Sequence, residues 1–175
     1  DDELAKSLDF DDVEALRKDL RTRIGEEKER ANKRRQEEDV IDVLLNDHPF
    51  ELPNSLVEEQ SEVQRRNYRD QLKERGASDD EIEKQLEDAK EEIQKDAHRR
   101  VRLYFLLEGI ARKEKIFVTE TDVDVQLRNI AAENNVPPEQ VREYFTAENR
   151  LGDLRVGIME RKVREFLREN ANITD

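Results

Sequence analysis

The sequence has no cysteine and no tryptophan, a single methionine, five glycines and four prolines in 175 residues. Without cysteine there can be neither a disulfide nor a thiolate-metal site, which fits a reducing, cytosolic setting. Aromatic residues are 5% and all hydrophobic residues 34% of the chain, against roughly 45–50% apolar residues in an ordinary globular domain. Mean hydropathy is -1.06. So little apolar material excludes a thick core and leaves either partial disorder or a helical protein with a thin one. No apolar run approaches the ~20 residues needed to cross a bilayer, and no secretory signal pattern is visible. The expected location is therefore the cytoplasm, with no membrane partner. The chain starts at Asp1 and its only methionine is Met159, so it is expected to be a fragment or a processed product.

Net positive charge is also lacking, because 45 Asp and Glu outnumber 32 Lys and Arg and leave a formal net charge of -13. Phosphate contacts need a basic face, so DNA and RNA are disfavoured as partners. What is abundant is charge itself, 44% of residues, carried by Glu, Lys and Arg beside Leu and Ala. These are strong helix formers, and Gly and Pro are rare, so the chain should be helical. No alternation is long enough for a sheet, and no fixed-length repeat recurs.

The densest apolar stretch is Val101–Lys113, VRLYFLLEGIARK. Val101, Leu103, Tyr104, Phe105, Leu106, Leu107 and Ile110 leave almost no polar face, so this helix must be covered on several sides. It is the expected hub. Before it, Asp11 with Glu14 reads as a capping box, followed by Val13, Leu16, Leu20 and Ile24 at helical spacing. From Gly25 to Asp39 the apolar stripe stops, and Glu26–Arg30 and Glu29–Lys33 form favourable i,i+4 pairs. Apolar residues resume at Val40–Leu45. Either one strut helix spans Asp12–Asp47 with a bare middle, or Gly25 is a hinge between two helices. Pro49 ends this segment, and Pro53 suits the start of a helix over Asn54–Arg75. Gly76 is placed to cap it, and Ser78 with Glu81 opens the next. Two residues separate cap from cap, which predicts a helical hairpin. Its second helix carries Ile82, Leu86, Ala89, Ile93, Ala97, Val101 and Tyr104 on one side and runs into the hub. Its charged tip should bury too little to collapse onto anything. Thr119 with Asp122 caps the following helix, and Val118 and Val123 occupy the staple positions. Asn134–Pro138 is a turn, a short helix follows with Val141, Tyr144 and Phe145, and a last helix runs from about Asn149 to Asn170. Ala171–Asp175 is a tail.

The fold expected is thus all-α and elongated: a strut (1–48), a helical-hairpin arm ending in the hub (49–113), and a second smaller helical arm (114–175), within one domain.

No site chemistry stands out. His48 lies in a turn and His98 among charged neighbours, neither in a metal-protease context. The acidic runs lack an apolar pocket to shift a carboxyl group. Lys28, Arg30, Lys33, Arg34 and Arg35 are interrupted by acids and lack interleaved aromatics. No phosphate-binding glycine loop is present. The expectation is no catalytic residue, no metal and no cofactor. Tyr68, Tyr104, Phe105, Phe117, Tyr144, Phe145 and Phe166 remain. Each is by default a core residue, yet the lean arms should leave some of them in small exposed patches, and such patches on soluble proteins mark binding surfaces.

FELPNSLVEEQ, then a hairpin, then RRVRLYFLLEGIARKEKIFVTETDV resembles the C-terminal substrate-binding domain of trigger factor, the bacterial ribosome-associated chaperone. The residues that carry the likeness are Leu52-Pro53, Arg99-Arg100 with Val101–Ile110, and Ile116-Phe117-Val118-Thr119 through Val123. The order and spacing of these pieces, with the preceding strut, extend it over essentially the whole chain. The resemblance implies an ATP-independent, all-helical cradle whose two arms hold unfolded or nascent polypeptide. Neither the family's ribosome-docking loop nor its FKBP-like prolyl isomerase domain is found in these residues, so no enzyme activity and no direct ribosome contact is expected of them. Homodimerisation is compatible. Client contacts are expected at Tyr68 and Leu72 on the first arm and at Ile130, Val141, Tyr144 and Phe145 on the second, with Asn134 where the family can carry an aromatic. A helical scaffold tethering one folded partner is the competing reading, and a periplasmic chaperone of similar architecture is a further one.

Overall fold

The computed structural model describes residues 2–172, and all regular structure in them is helical. Eight helices follow in order among these residues: α1 (Asp2–Ser7), α2 (Val13–Asp47), α3 (Asn54–Glu74), α4 (Asp79–Asp88), α5 (Lys90–Lys113), α6 (Glu120–Asn134), α7 (Pro138–Ala147) and α8 (Leu151–Asn170). The tail expected beyond Ala171 lies largely outside the described residues. By packing, the chain divides into two compact units. One takes the chain up to Val40 together with the chain from Leu167, and the other runs from Ile41 to Phe166.

In the first unit, α1 ends in a reversal at Asp9 (φ 62°), where the Phe10 N–H donates to the Ala5 carbonyl at 2.9 Å and Ala5 is fully buried. The N-cap of α2 is Asp12, one residue later than the sequence suggests. Its Oδ1 accepts from the Ala15 N–H at 2.8 Å, so Glu14 is not at the capping-box position. The helix then runs unbroken through Gly25 to Asp47, about 52 Å at ~1.5 Å per residue. Ion pairs Asp19–Arg23 (2.7 Å), Glu26–Arg30 (3.1 Å) and Glu29–Lys33 (2.7 Å) line it. Every residue from Leu20 to Arg35 is exposed. Leu20 and Ile24, expected to continue the apolar stripe, are therefore open to water. Arg168 of α8 pairs with Glu37 at 3.3 Å in this unit.

Gly25 sits in this bare helix, and a Cβ there meets nothing within 4 Å. Gly25→Ala is expected to stabilise the protein by about 0.5–1 kcal/mol, because alanine loses less backbone freedom in a helix. A thermal melt with a lower midpoint for the variant would mean that the helix bends at Gly25 in solution.

In the second unit, α3 lies along α5 and turns back through α4. The reversal is a Schellman motif. Gly76 takes φ 79°, its N–H donates to the Lys73 carbonyl at 2.9 Å, and the Ala77 N–H reaches the Leu72 carbonyl at 3.1 Å. A complete capping box then starts α4: the Ser78 N–H donates to Glu81 Oε2 at 2.9 Å, and the Glu81 N–H donates to Ser78 Oγ at 3.4 Å. Two expectations need correction here. The helix leading into the hub is not continuous, because Ala89 (φ -87°, ψ -2°) separates α4 from α5. The hairpin tip is also not bare of core: Leu72, Ile82 and Leu86 are buried together, with Tyr68 and Ala77 packed against them. The hub is covered only in part, with Tyr104, Phe105, Leu106 and Ile110 left half-buried. Ala97, Val101, Leu103, Leu107 and Ala111 are buried on α5.

The second core joins Val123, Leu127 and Ala131 of α6 to Val141 of α7 and Ile158 of α8. Thr119 and Asp122 close the α6 capping box, and Val118 packs against this core from the staple position. Asn135 (φ 54°) ends α6, and Val136 beyond it turns back onto the core. Polar contacts bind α8 to the start of α6: Lys162 Nζ donates to Asp122 Oδ2 at 2.8 Å and to the Phe117 carbonyl at 2.9 Å, Arg161 donates to Gln126 at 2.6 Å, and Arg155 pairs with Glu120.

Candidate apolar binding surfaces

The two small cores and the buried face of α5 take up many of the apolar side chains, but not all. Phe117 is 69% exposed and Tyr144 52%. Phe117 stands in the link between α5 and α6, flanked by two inward-facing residues. Ile116 follows the helix reversal at Lys115 (φ 57°), where its N–H donates to the Ala111 carbonyl at 2.8 Å. Val118 is the staple. In extended backbone, alternate side chains take opposite faces, so the residue between two inward ones points outward. Lys162 holds the Phe117 carbonyl, fixing the backbone that presents the ring. Phe117 is one of the aromatics that the lean arms leave exposed, and the alternation Ile116-Phe117-Val118 between two helix caps is the sequence signal that singles it out.

Asp122 is central to this arrangement. The Lys162 ammonium, and then the Thr119 N–H and hydroxyl, hydrogen-bond its carboxylate and lower its pKa from 3.8 to about 2. The folded state thus binds this proton less readily than the unfolded chain. The stabilisation is complete above 3.8 and is lost as pH falls toward 2. Asp122→Asn is expected to be less stable than the wild type at neutral pH and to lose less stability across that acid window. Parallel acid limbs in urea unfolding at stepped pH would show that Asp122 is not the titrating group.

Around α7, Tyr144 and Phe145 meet edge to face, with ring centroids 5.8 Å apart. The Arg150 guanidinium lies 5.9 Å from both ring centroids and donates to the Tyr144 hydroxyl at 3.0 Å. Ile130 and Phe145 are half-buried against the second core. On the hairpin, Tyr68 is half-buried, with its hydroxyl 3.4 Å from Gln85 Oε1. Of the six residues read as client contacts, Tyr68, Ile130, Tyr144 and Phe145 thus reach the surface. Leu72 and Val141 do not: they are 4% and 7% exposed. Both lie on the helix face turned to a partner helix, and their side chains fill the two cores. Helical spacing groups such residues on one face without telling which members are covered.

A feature not read from the sequence is a groove of about 310 Å³ lined by Leu56 and Val63 of α3, Val101, Tyr104 and Phe105 of α5, and Val156 of α8. Glu59, Arg100 and Glu160 rim it. Tyr104 and Phe105 stack edge to face at 5.5 Å, and Phe50 meets Phe105 at 6.4 Å. Leu56 and Phe50 are partly open to water. These are hub residues whose outer faces the neighbouring helices do not fully cover.

Among the described residues, no group of three or more His, Asp or Glu side chains could hold a metal ion. His48 Nδ1 lies 3.0 Å from the Leu44 carbonyl. No helix among these residues is long and apolar enough to cross a membrane.

The molecule is therefore an all-helical domain with apolar side chains left open on a scaffold of small cores. Residues 12–169 match the family model described as "Bacterial trigger factor protein (TF) C-terminus", and the chain belongs to that family. It is 34% identical to trigger factor of Rhodopseudomonas palustris (strain BisB5), over all of this chain and 39% of that protein. Trigger factor of Carboxydothermus hydrogenoformans is 32% identical over 98% of this chain and 41% of its own length. That of Halothermothrix orenii is 29% identical over 97% and 41%. The chain thus spans about two-fifths of the length of the curated relatives it matches. No solved structure matches.

Proposed function

We propose that this chain is an ATP-independent chaperone domain that binds unfolded or nascent polypeptide through apolar patches on its helical arms. The observation that carries this reading is the set of apolar side chains left open beside complete cores: Phe117, Tyr144 with Phe145, Tyr68, and the groove at Tyr104 and Phe105. Ile130 packs against the same core as Phe145, and Leu72 and Val141 lie in the cores that support these patches. A soluble protein that exposes rings in separate places offers several weak sites rather than one tight one. Each apolar side chain of a client that is buried contributes up to about 1.5–3 kcal/mol, less the costs of ordering and association. Several such contacts on one scaffold add through effective concentration, and each releases quickly. The charged rims keep the chaperone itself in solution. Family membership supports the reading, and the work is binding rather than catalysis, carried out in the cytoplasm.

The test is light scattering from an unrelated protein diluted from denaturant. The chain at stoichiometric ratio, without nucleotide, is expected to suppress aggregation. No suppression by a chain of full helicity overturns the proposal. Selective capture of one folded partner, with no effect on unfolded chains, would instead support a tether.

A further inference from the structure

We propose that the link between α2 and α3 is a built-in competitor for the hub: Phe50 lies against the end of the apolar groove as a client ring would, and an unfolded segment must displace it to bind there fully. This inference rests on the chaperone reading and names a contact that holds client binding in check.

Residues 48–53, HPFELP, join the two helices without regular structure. Two prolines restrict this backbone. A residue before proline avoids the helical region, which applies to His48 and Leu52, and Pro53 itself is extended (φ -60°, ψ 122°). In extended chain, alternate side chains share a face. Phe50 turns to the hub and Leu52 is half-buried, whereas Glu51 between them is exposed. Among the described residues, no hydrogen bond involves residues 49–52. The link is thus laid on the hub by side chains alone, in the manner of an unfolded segment.

The Phe50 ring rests against α5. It meets Phe105 edge to face at 6.4 Å, and the Arg102 guanidinium stands over it at 5.9 Å. Phe105 in turn lines the apolar groove with Leu56, Val63 and Tyr104. The contact is incomplete. Phe50 keeps 37% of its surface exposed. Arg102 Nε is shielded from water with no acceptor, an arrangement that weakens the closed state. A contact with so little burial and no backbone bond opens readily. Opening frees the Phe105 edge and the Arg102 guanidinium for a client ring, next to the groove at Tyr104. Because the competitor is tethered, it returns when the client leaves. The apparent affinity of the site is then the intrinsic one multiplied by the fraction of molecules whose link is lifted.

The experiment titrates a dye-labelled, uncharged peptide with phenylalanine and leucine at alternate positions into the full chain, read by fluorescence anisotropy. Phe50→Ala is expected to bind it about tenfold tighter than the wild type, as for a link closed in about nine molecules of ten. Phe50→Leu should fall between the two. Equal or weaker binding by Phe50→Ala at full helicity overturns the competitor and leaves the chaperone reading standing. Binding to neither chain overturns both. A second measurement does not depend on a truncated side chain. With 4-fluorophenylalanine at position 50 alone, the fluorine resonance is expected to move toward that of a solvent-exposed ring as the peptide is added. A resonance unmoved at saturation overturns the proposal.

Discussion

Leu127→Ala is expected to destabilise the protein by about 2–5 kcal/mol, the combined cost of lost burial and a cavity that the surroundings only partly fill. Leu127 is 1% exposed and touches the centre of the core made by α6, α7 and α8. Leu86, also 1% exposed, holds the same position in the hairpin core with Leu72 and Ile82, and Leu86→Ala is expected to cost a similar amount. The two variants should differ in place rather than size. The two cores share no residue, and proteins open locally in cooperative pieces. Hydrogen exchange is expected to quicken over α6, α7 and α8 in Leu127→Ala, and over α4 and the end of α3 in Leu86→Ala. Equal acceleration of both regions in both variants would show a single cooperative core and contradict the division into thin, separate ones.

The hairpin core itself was not legible in the sequence, but the helix boundaries that frame both cores largely were, because the devices that set them are local. Gly76 followed by Ser78 and Glu81 fixes the hairpin reversal through backbone conformation and capping, which depend on a few adjacent residues. Thr119 and Asp122 set the start of α6 in the same way. The hub announced itself by being apolar nearly all round. Less legible was anything that depends on a distant partner. Asp11 and Asp12 are chemically identical candidates for one cap, and only the path of the chain selects Asp12. Ala89 carries no sequence mark of a break. On α7, Val141, Tyr144 and Phe145 share one face by spacing, yet α6 covers Val141 and leaves Tyr144 open. A helical stripe states which residues can be buried together; the neighbouring helix decides which of them are. The client-contact residues were read partly from family likeness and partly from leftover aromatics, so Leu72 and Val141 could not be separated from their exposed neighbours before the packing was known.

The same distinction yields the second large effect. Phe117→Ala combined with Tyr144→Ala is expected to weaken binding of an unfolded client by roughly tenfold to a hundredfold, since each ring can contribute about 1.5–3 kcal/mol before ordering costs. The melting temperature should hardly move, because both side chains are more than half exposed and truncation at such positions usually changes stability by less than about 0.5 kcal/mol. Each single variant should show a smaller loss, because a client released at one patch is still held near it by the others. Val141→Ala supplies the contrast. Its side chain is buried against Leu127 and Ile158, so any loss of client binding should come with a lowered melting point. Anisotropy titration and thermal melts on the same preparations separate the two behaviours. Wild-type affinity in the double variant would remove Phe117 and Tyr144 from the binding surface and leave the apolar groove at Tyr104 and Phe105 to carry it. A melting point that falls with affinity in the double variant would instead make the rings part of the scaffold, since an open binding patch must be separable from the fold that presents it.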